Sequence, residues 1–128
     1  RLKAINLKLK TFIAHFGILP YNEFIMIINI KAKNFELTPA IRIYIETKIN
    51  HLEKFLSEEL KRDSVRVDFE AAKTTRRQHK GNIFYAEANL KINGAILRAN
   101  KTAENLRTAI DRVKDALAEE IKRFKSTR

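Results

Sequence analysis

The sequence predicts an α+β domain of order β-α-β-β-β-α, a four-stranded mixed sheet with two helices packed on one face. Three observations carry that expectation. Several segments alternate apolar and polar residues with period two, two others place apolar residues at helical spacing, and one Asn-Gly pair sits between two alternating runs in a self-consistent register.

The first strand begins at Met26, where Ile28, Ile30 and Ala32 alternate with Asn29, Lys31 and Lys33. Thr38-Pro39 then opens a helix: threonine caps the first amides, and proline tolerates the position whose amide has no partner. Ile41, Ile45, Ile49, Leu52 and Leu56 recur along it, and it is expected to end near Leu60. Val65, Val67, Phe69 and Ala71 mark a second strand. The run KTTRRQHKGN contains no apolar residue and reads as a loop or ragged hairpin tip. A third strand follows, with Phe84, Ala86, Ala88, Leu90 and Ile92 on one face and Tyr85, Glu87, Asn89 and Lys91 on the other.

Asn93-Gly94 is the strongest local signal, because both central residues of a type I′ turn need positive φ. A two-residue loop pairs Ile92 with Ala95, Leu90 with Leu97 and Ala88 with Ala99, all on the apolar face. Thr102 is expected to cap the last helix, with Glu104 in its first turn. Leu106, Ile110, Val113, Leu117, Ile121 and Phe124 form its buried stripe. One apolar face per strand places both helices on the same side of the sheet. The first crossover is expected to be right-handed, making strands one and two parallel. The opposite sheet face stays open to solvent or a partner.

Composition narrows the function. The 128 residues hold 26 Lys and Arg against 15 Asp and Glu, a formal charge of +11, yet 45% are hydrophobic. That balance describes a folded basic domain rather than a disordered polycation, and such a surplus points to a polyanion, either nucleic acid or an anionic membrane surface. The chain has no cysteine, so it has no disulfide framework and no thiolate chemistry. No apolar run approaches the ~18 residues that a membrane-spanning helix needs.

Residues 1–25 read as a non-native or disordered N-terminal extension, and 26–128 as the binding domain. A second reading of 1–25 is a basic amphipathic anchor, with Leu2, Ile5, Leu9, Phe12, Ile13 and Phe16 on one helical face. The basic surplus does not depend on this segment, since 26–128 still holds 22 cations against 14 acids.

Catalytic groups are not evident. His15, His51 and His79 lack a second ligand at metal-binding spacing, and Glu58-Glu59 and Glu119-Glu120 lie beside cations, as on a solvated helix face. There is no glycine-rich phosphate loop and no nucleophile elbow. The expectation is therefore a binding protein with no catalytic residues, no metal, no cofactor and no small-molecule substrate. Its candidate RNA contacts fall in four groups. Lys73, Arg76, Arg77 and Lys80 form a dense cluster between Glu70 and Glu87. Lys31 and Lys33 project from the first strand. Lys91, Arg98 and the ring of Tyr85 sit on the open sheet face. Arg107, Arg112, Lys114, Lys122, Arg123 and Lys125 lie on the last helix, whose final turn also favours cations for electrostatic reasons of its own. No pair of residues resembles a base-reading code, so phosphate and shape recognition is expected over sequence readout.

The stretches NIKAKNFELTPAIRIYIETKINHLEKF and YAEANLKINGAILRANKTAENLRTAIDRVKDAL resemble the bacterial ribosome hibernation-promoting factors, also called ribosome-associated inhibitor or sigma-54 modulation proteins. The resemblance covers roughly 26–125, most specifically Thr38 to Arg42, Leu52-Glu53-Lys54, the Ala86 to Gly94 hairpin and Ala109-Ile110-Asp111. It implies the same fold, a cytoplasmic location, and binding to the small ribosomal subunit and its rRNA in the channel for messenger RNA and the anticodon arms of transfer RNA. Translation would then be blocked by occupancy. It further implies Lys54 and the basic face of the last helix as RNA contacts. The chain departs from the family where members often have an Asp and a Tyr at the positions of Asn105 and Arg107, and Arg-Gln at Glu119-Glu120. Longer members carry a dimerising C-terminal domain, so this chain is expected to be a short form or part of a long one. Rival readings are a protein-interaction module modulating a sigma factor and a generic structured-RNA-binding domain.

Overall fold

The computed structural model describes residues 25–75 and 81–127. Four strands, β1 (Met26–Lys33), β2 (Val65–Thr75), β3 (Asn82–Ile92) and β4 (Ala95–Ala103), form one sheet in the order β1-β2-β3-β4. β1 and β2 run parallel; the other two pairings are antiparallel. The helices are α1 (Pro39–Asn50), α2 (Ser57–Leu60) and α3 (Leu106–Ser126), with a 3-10 turn at His51–Phe55 between the first two. This is the expected β-α-β-β-β-α order. The extension at 1–25 lies outside the described residues except for Ile25, whose carbonyl accepts from the Val65 amide at 3.1 Å.

The core lies between the sheet and α1 and α3. Val67, Phe69, Ala86, Ala88 and Leu90 from the central strands are closed over by Ile45, Ile49, Leu52, Ile110, Val113, Leu117 and Ile121. Each large aliphatic or aromatic side chain removed from water there contributes about 1.5–3 kcal/mol. Met26, fully buried opposite Val65, is the first core residue of β1.

Local signals set most boundaries. The Thr38 hydroxyl accepts from the Ile41 amide at 3.2 Å, as a cap preceding Pro39 should. Asn93 and Gly94 have φ of 49° and 79°, both positive, and Ile92–Ala95, Leu90–Leu97 and Ala88–Ala99 pair as expected.

Three expectations need correction. The first helix does not run unbroken to Leu60: it tightens into the 3-10 turn, breaks at Leu56, and resumes for the four residues of α2. The apolar stripe survives because Leu52, Leu56 and Leu60 all remain buried. Thr102 does not cap the last helix. β4 continues through it, pairing Thr102 with Tyr85, and Asn105 caps α3 by accepting from the Thr108 amide at 3.2 Å. Glu104 consequently precedes the cap, and the first turn of α3 carries no acid. Lys73, finally, belongs to β2 rather than to a loop and pairs with Phe84.

Candidate nucleic-acid interface

The topology gives the molecule two ends. β1, β2 and β4 all point their C-termini towards one of them, where the β2–β3 connection lies and where α1 and α3 begin. The opposite end carries the Asn93-Gly94 turn, α2 and the last turns of α3. The sequence predicts cations on several surfaces, and the structure sorts them between these ends.

At the hairpin end the alternation of β1 brings out Lys31 and Lys33, both exposed. Lys33 meets Glu70 of the neighbouring strand at 3.2 Å. Lys73 shares the helix-side parity of Phe69 and Ala71 and is half-buried at the margin of the core. Its carbonyl accepts from the Asn34 amide group at 3.1 Å; Asn34 itself has φ of 66°, a left-handed conformation that asparagine tolerates, so the loop leaving β1 is fastened to the end of β2. Lys101, exposed on β4, and Arg107 and Arg112 at the start of α3 join this end, as does Arg42 in the first turn of α1. Arg76, Arg77 and Lys80 occupy the connection between β2 and β3 in the sequence and lie outside the described residues.

Ion pairs are dense at the other end. Lys61 meets Glu58 at 3.2 Å, Lys91 meets Asp68 at 3.5 Å, Lys122 meets Glu119 at 3.6 Å, and Arg123 pairs with Glu120. Lys125 meets Glu59 at 3.5 Å and donates to the Phe55 carbonyl at 2.6 Å. Glu59 is only 3% exposed, a buried charge matched by a cation. These cations are engaged within the protein.

The cations predicted on the last helix do not form one surface. At 3.6 residues per turn, Arg107, Lys114, Lys122 and Lys125 share the flank facing α1, with Asp111 among them. Arg112 lies on the other flank and donates to the Thr102 carbonyl of edge strand β4 at 3.1 Å. Lys54 and Lys122 both lie over the Phe55 ring, each at 5.2 Å from its centroid. Lys114 turns to Asp115 at 3.3 Å.

On the open sheet face, Lys91 and Asn29 both reach Asp68, and Arg98 stands opposite Asn89 in the register. Tyr85 is half-buried and donates its hydroxyl to Glu87 at 3.0 Å. Burial first, then that hydrogen bond and the charges of Glu87 and Glu70, hold its hydroxyl above the usual tyrosine range. In the register it stands between Ala72 and Thr102 of the adjacent strands.

Sequence reasoning missed a cluster that joins α1 to α3. The Tyr44 hydroxyl donates to Asp111 at 2.7 Å, and Lys48 meets the same carboxylate at 3.4 Å. Lys48 and Arg107 also lie over the Tyr44 ring, at 5.4 and 5.2 Å. The i,i+4 spacings of Tyr44 with Lys48 and of Arg107 with Asp111 were visible, but their meeting across two helices was not. Lys101 was missed because ending the strand at Thr102 left it without a face.

Among the described residues no group of three or more His, Cys, Asp or Glu could hold a metal ion, and no helix is long and apolar enough to cross a membrane.

A family model described as Sigma 54 modulation protein / S30EA ribosomal protein matches residues 28–128. The chain is 30% identical over 100 residues to the ribosome hibernation promoting factor of Klebsiella oxytoca, covering 78% of this chain and 94% of that one. It is also 30% identical over 98 residues to the ribosome hibernation promotion factor of Lactococcus lactis, of which it spans only 49%. Among solved structures, the N-terminal domain of Thermus thermophilus Protein Y superposes with a TM-score of 0.62 at 26% identity, covering 77% of this chain and 99% of that one. A ribosomal subunit interface protein from Coxiella burnetii shares the fold, with a TM-score of 0.59 at 16% identity over 77% of this chain and 97% of its own.

Proposed function

This chain belongs to the sigma 54 modulation protein / S30EA ribosomal protein family, and from that premise we propose that it is a ribosome hibernation factor, a cytoplasmic binding protein rather than an enzyme. It binds the small ribosomal subunit in the channel that otherwise holds messenger RNA and transfer RNA, and it inhibits translation by occupying that space. The observation that carries the reading is the uneven distribution of cations. Lys31, Lys73, Lys101 and Arg107 at the hairpin end have no ion pair with a described residue, and the sequence adds Arg76, Arg77 and Lys80 to the same end. That end is the RNA-contacting surface.

Physically the mechanism needs no chemistry. A rigid body neutralises phosphates lining a narrow groove, and the counterions they release supply the affinity. The names borne by the Klebsiella and Lactococcus relatives support the hibernation role. Sedimentation with small subunits over a salt series tests it. With roughly 5–8 phosphates neutralised, the logarithm of the affinity falls with the logarithm of salt at a slope of about 5–7. Salt-insensitive association, or none at all, rules the reading out.

One observation favours a second reading, a protein-docking module. Ile27 and Ile96, 37% and 48% exposed, lie in one cross-strand row of the open face, flanking Arg66 and Lys91. Capture from a nuclease-treated lysate separates the two: RNA-dependent recovery of ribosomal proteins belongs to the first reading, and RNA-independent recovery of one partner to the second.

A further inference from the structure

Arg107 and Asp111 stand one helical turn apart on α3, the spacing at which opposite charges normally pair. They do not pair here. The Asp111 carboxylate is held by the Tyr44 hydroxyl at 2.7 Å and by Lys48 at 3.4 Å, both from α1. Arg107 instead lies over the Tyr44 ring at 5.2 Å. A ring covers one face of a guanidinium and leaves its in-plane N–H groups unused, so stacking immobilises the side chain without consuming its donors. Arg107 is exposed at the hairpin end, and no described residue forms an ion pair with it.

Tyr44 thus acts twice on one cation: its hydroxyl draws away the acid that would neutralise Arg107, and its ring fixes where Arg107 points. We propose that Tyr44 is a positioning residue for RNA binding, keeping the Arg107 guanidinium available to a phosphate by diverting Asp111. The inference rests on the ribosome-binding reading above and adds to it a residue that touches no RNA. It also gives Arg107 a partner across the helix pair.

The test compares the wild-type chain with Y44F, R107Q, the Y44F/R107Q double variant and Y44F/D111N, measuring small-subunit affinity over a salt series well below each thermal midpoint. Phenylalanine keeps the ring and removes only the hydroxyl, so Asp111 loses its shorter contact, keeps only the longer one to Lys48, and can swing to Arg107. Y44F and R107Q are each expected to weaken binding about threefold and to lower the salt slope by about one, the signature of one lost phosphate contact. The double variant should be no worse than R107Q alone. Removing the competing acid, in Y44F/D111N, should restore the wild-type slope. A merely structural hydroxyl would lower the thermal midpoint of Y44F and leave its slope unchanged, and that result overturns the proposal. So does additive loss in the double variant, or an R107Q variant that binds as the wild type does; in those cases ribosome binding itself stands. Failure of the wild-type chain to sediment with small subunits overturns the ribosome reading and this inference together.

Discussion

The hairpin end and the turn end of this molecule carry similar numbers of cations and treat them differently. At the turn end Lys61, Lys91, Lys122, Arg123 and Lys125 each face a carboxylate. At the hairpin end the pairing is sparse: Lys33 has Glu70, Arg112 has a backbone carbonyl, and Arg107 has a ring. The formal charge of +11 is a property of the whole chain, but a polyanion responds to local potential. Where acids interleave at contact distance, the field a few ångströms away is largely cancelled, and salt screens much of what is left. The lesson is that a basic protein's binding surface is found by asking which cations lack acids.

The largest expected effect breaks that comparison directly. Neutralising Lys73, Arg76, Arg77 and Lys80 to glutamine should lower small-subunit affinity by at least about thirtyfold and cut the salt slope by about three to four. The same number of changes at the turn end, at Lys61, Lys91, Lys122 and Arg123, should shift affinity by no more than about threefold. Equal losses from both sets, read by sedimentation under one buffer, would show that total charge alone matters.

A smaller effect sharpens the comparison through stability. Replacing Lys125 by methionine removes an ammonium from the Glu59 carboxylate, 3% exposed, and a donor from the Phe55 carbonyl. Because Lys125 is itself partly exposed, the expected loss is roughly 2–3 kcal/mol, below that of a fully buried pair. Urea unfolding measures it, and an unchanged midpoint would show that the pair is ornamental.

The smallest effect concerns the tyrosines near the hairpin end. Burial first and carboxylate bonds second raise Tyr44 and Tyr85 above the usual range. A proton held more tightly in the folded state means that stability is intact below about pH 10 and declines as pH rises through the folded values. Ultraviolet titration of the phenolates should show both groups ionising later than in the unfolded chain, and coincident curves would contradict the burial.

Much of the fold was legible before any coordinates. Alternation in β1 to β3, the Thr38-Pro39 start and the Asn93-Gly94 turn each encode structure within a few residues, and all were found where expected. The end of β4 was misread because Thr102 and Asn105 are both competent caps, and only the pairing of Thr102 with Tyr85 chooses between them. The break at Leu56 was hidden for a related reason: a stripe of buried leucines continues through it, so periodicity alone sees one helix. Of the candidate site, the residue types were visible and their grouping was not. Six cations on the last helix looked like one cluster, and the helical turn divides them between a flank facing α1 and a flank facing β4.

The chain by itself determined the order of elements, the register of the last hairpin and the basic character of the domain. Those depend on φ preferences, capping and side-chain parity, which act between near neighbours. Only the tertiary structure decided which cations meet acids, which meet rings and which meet neither. Tyr44 lies 67 positions from Asp111, and Phe55 lies 70 from Lys125, so these partners are chosen when the helices pack and not before.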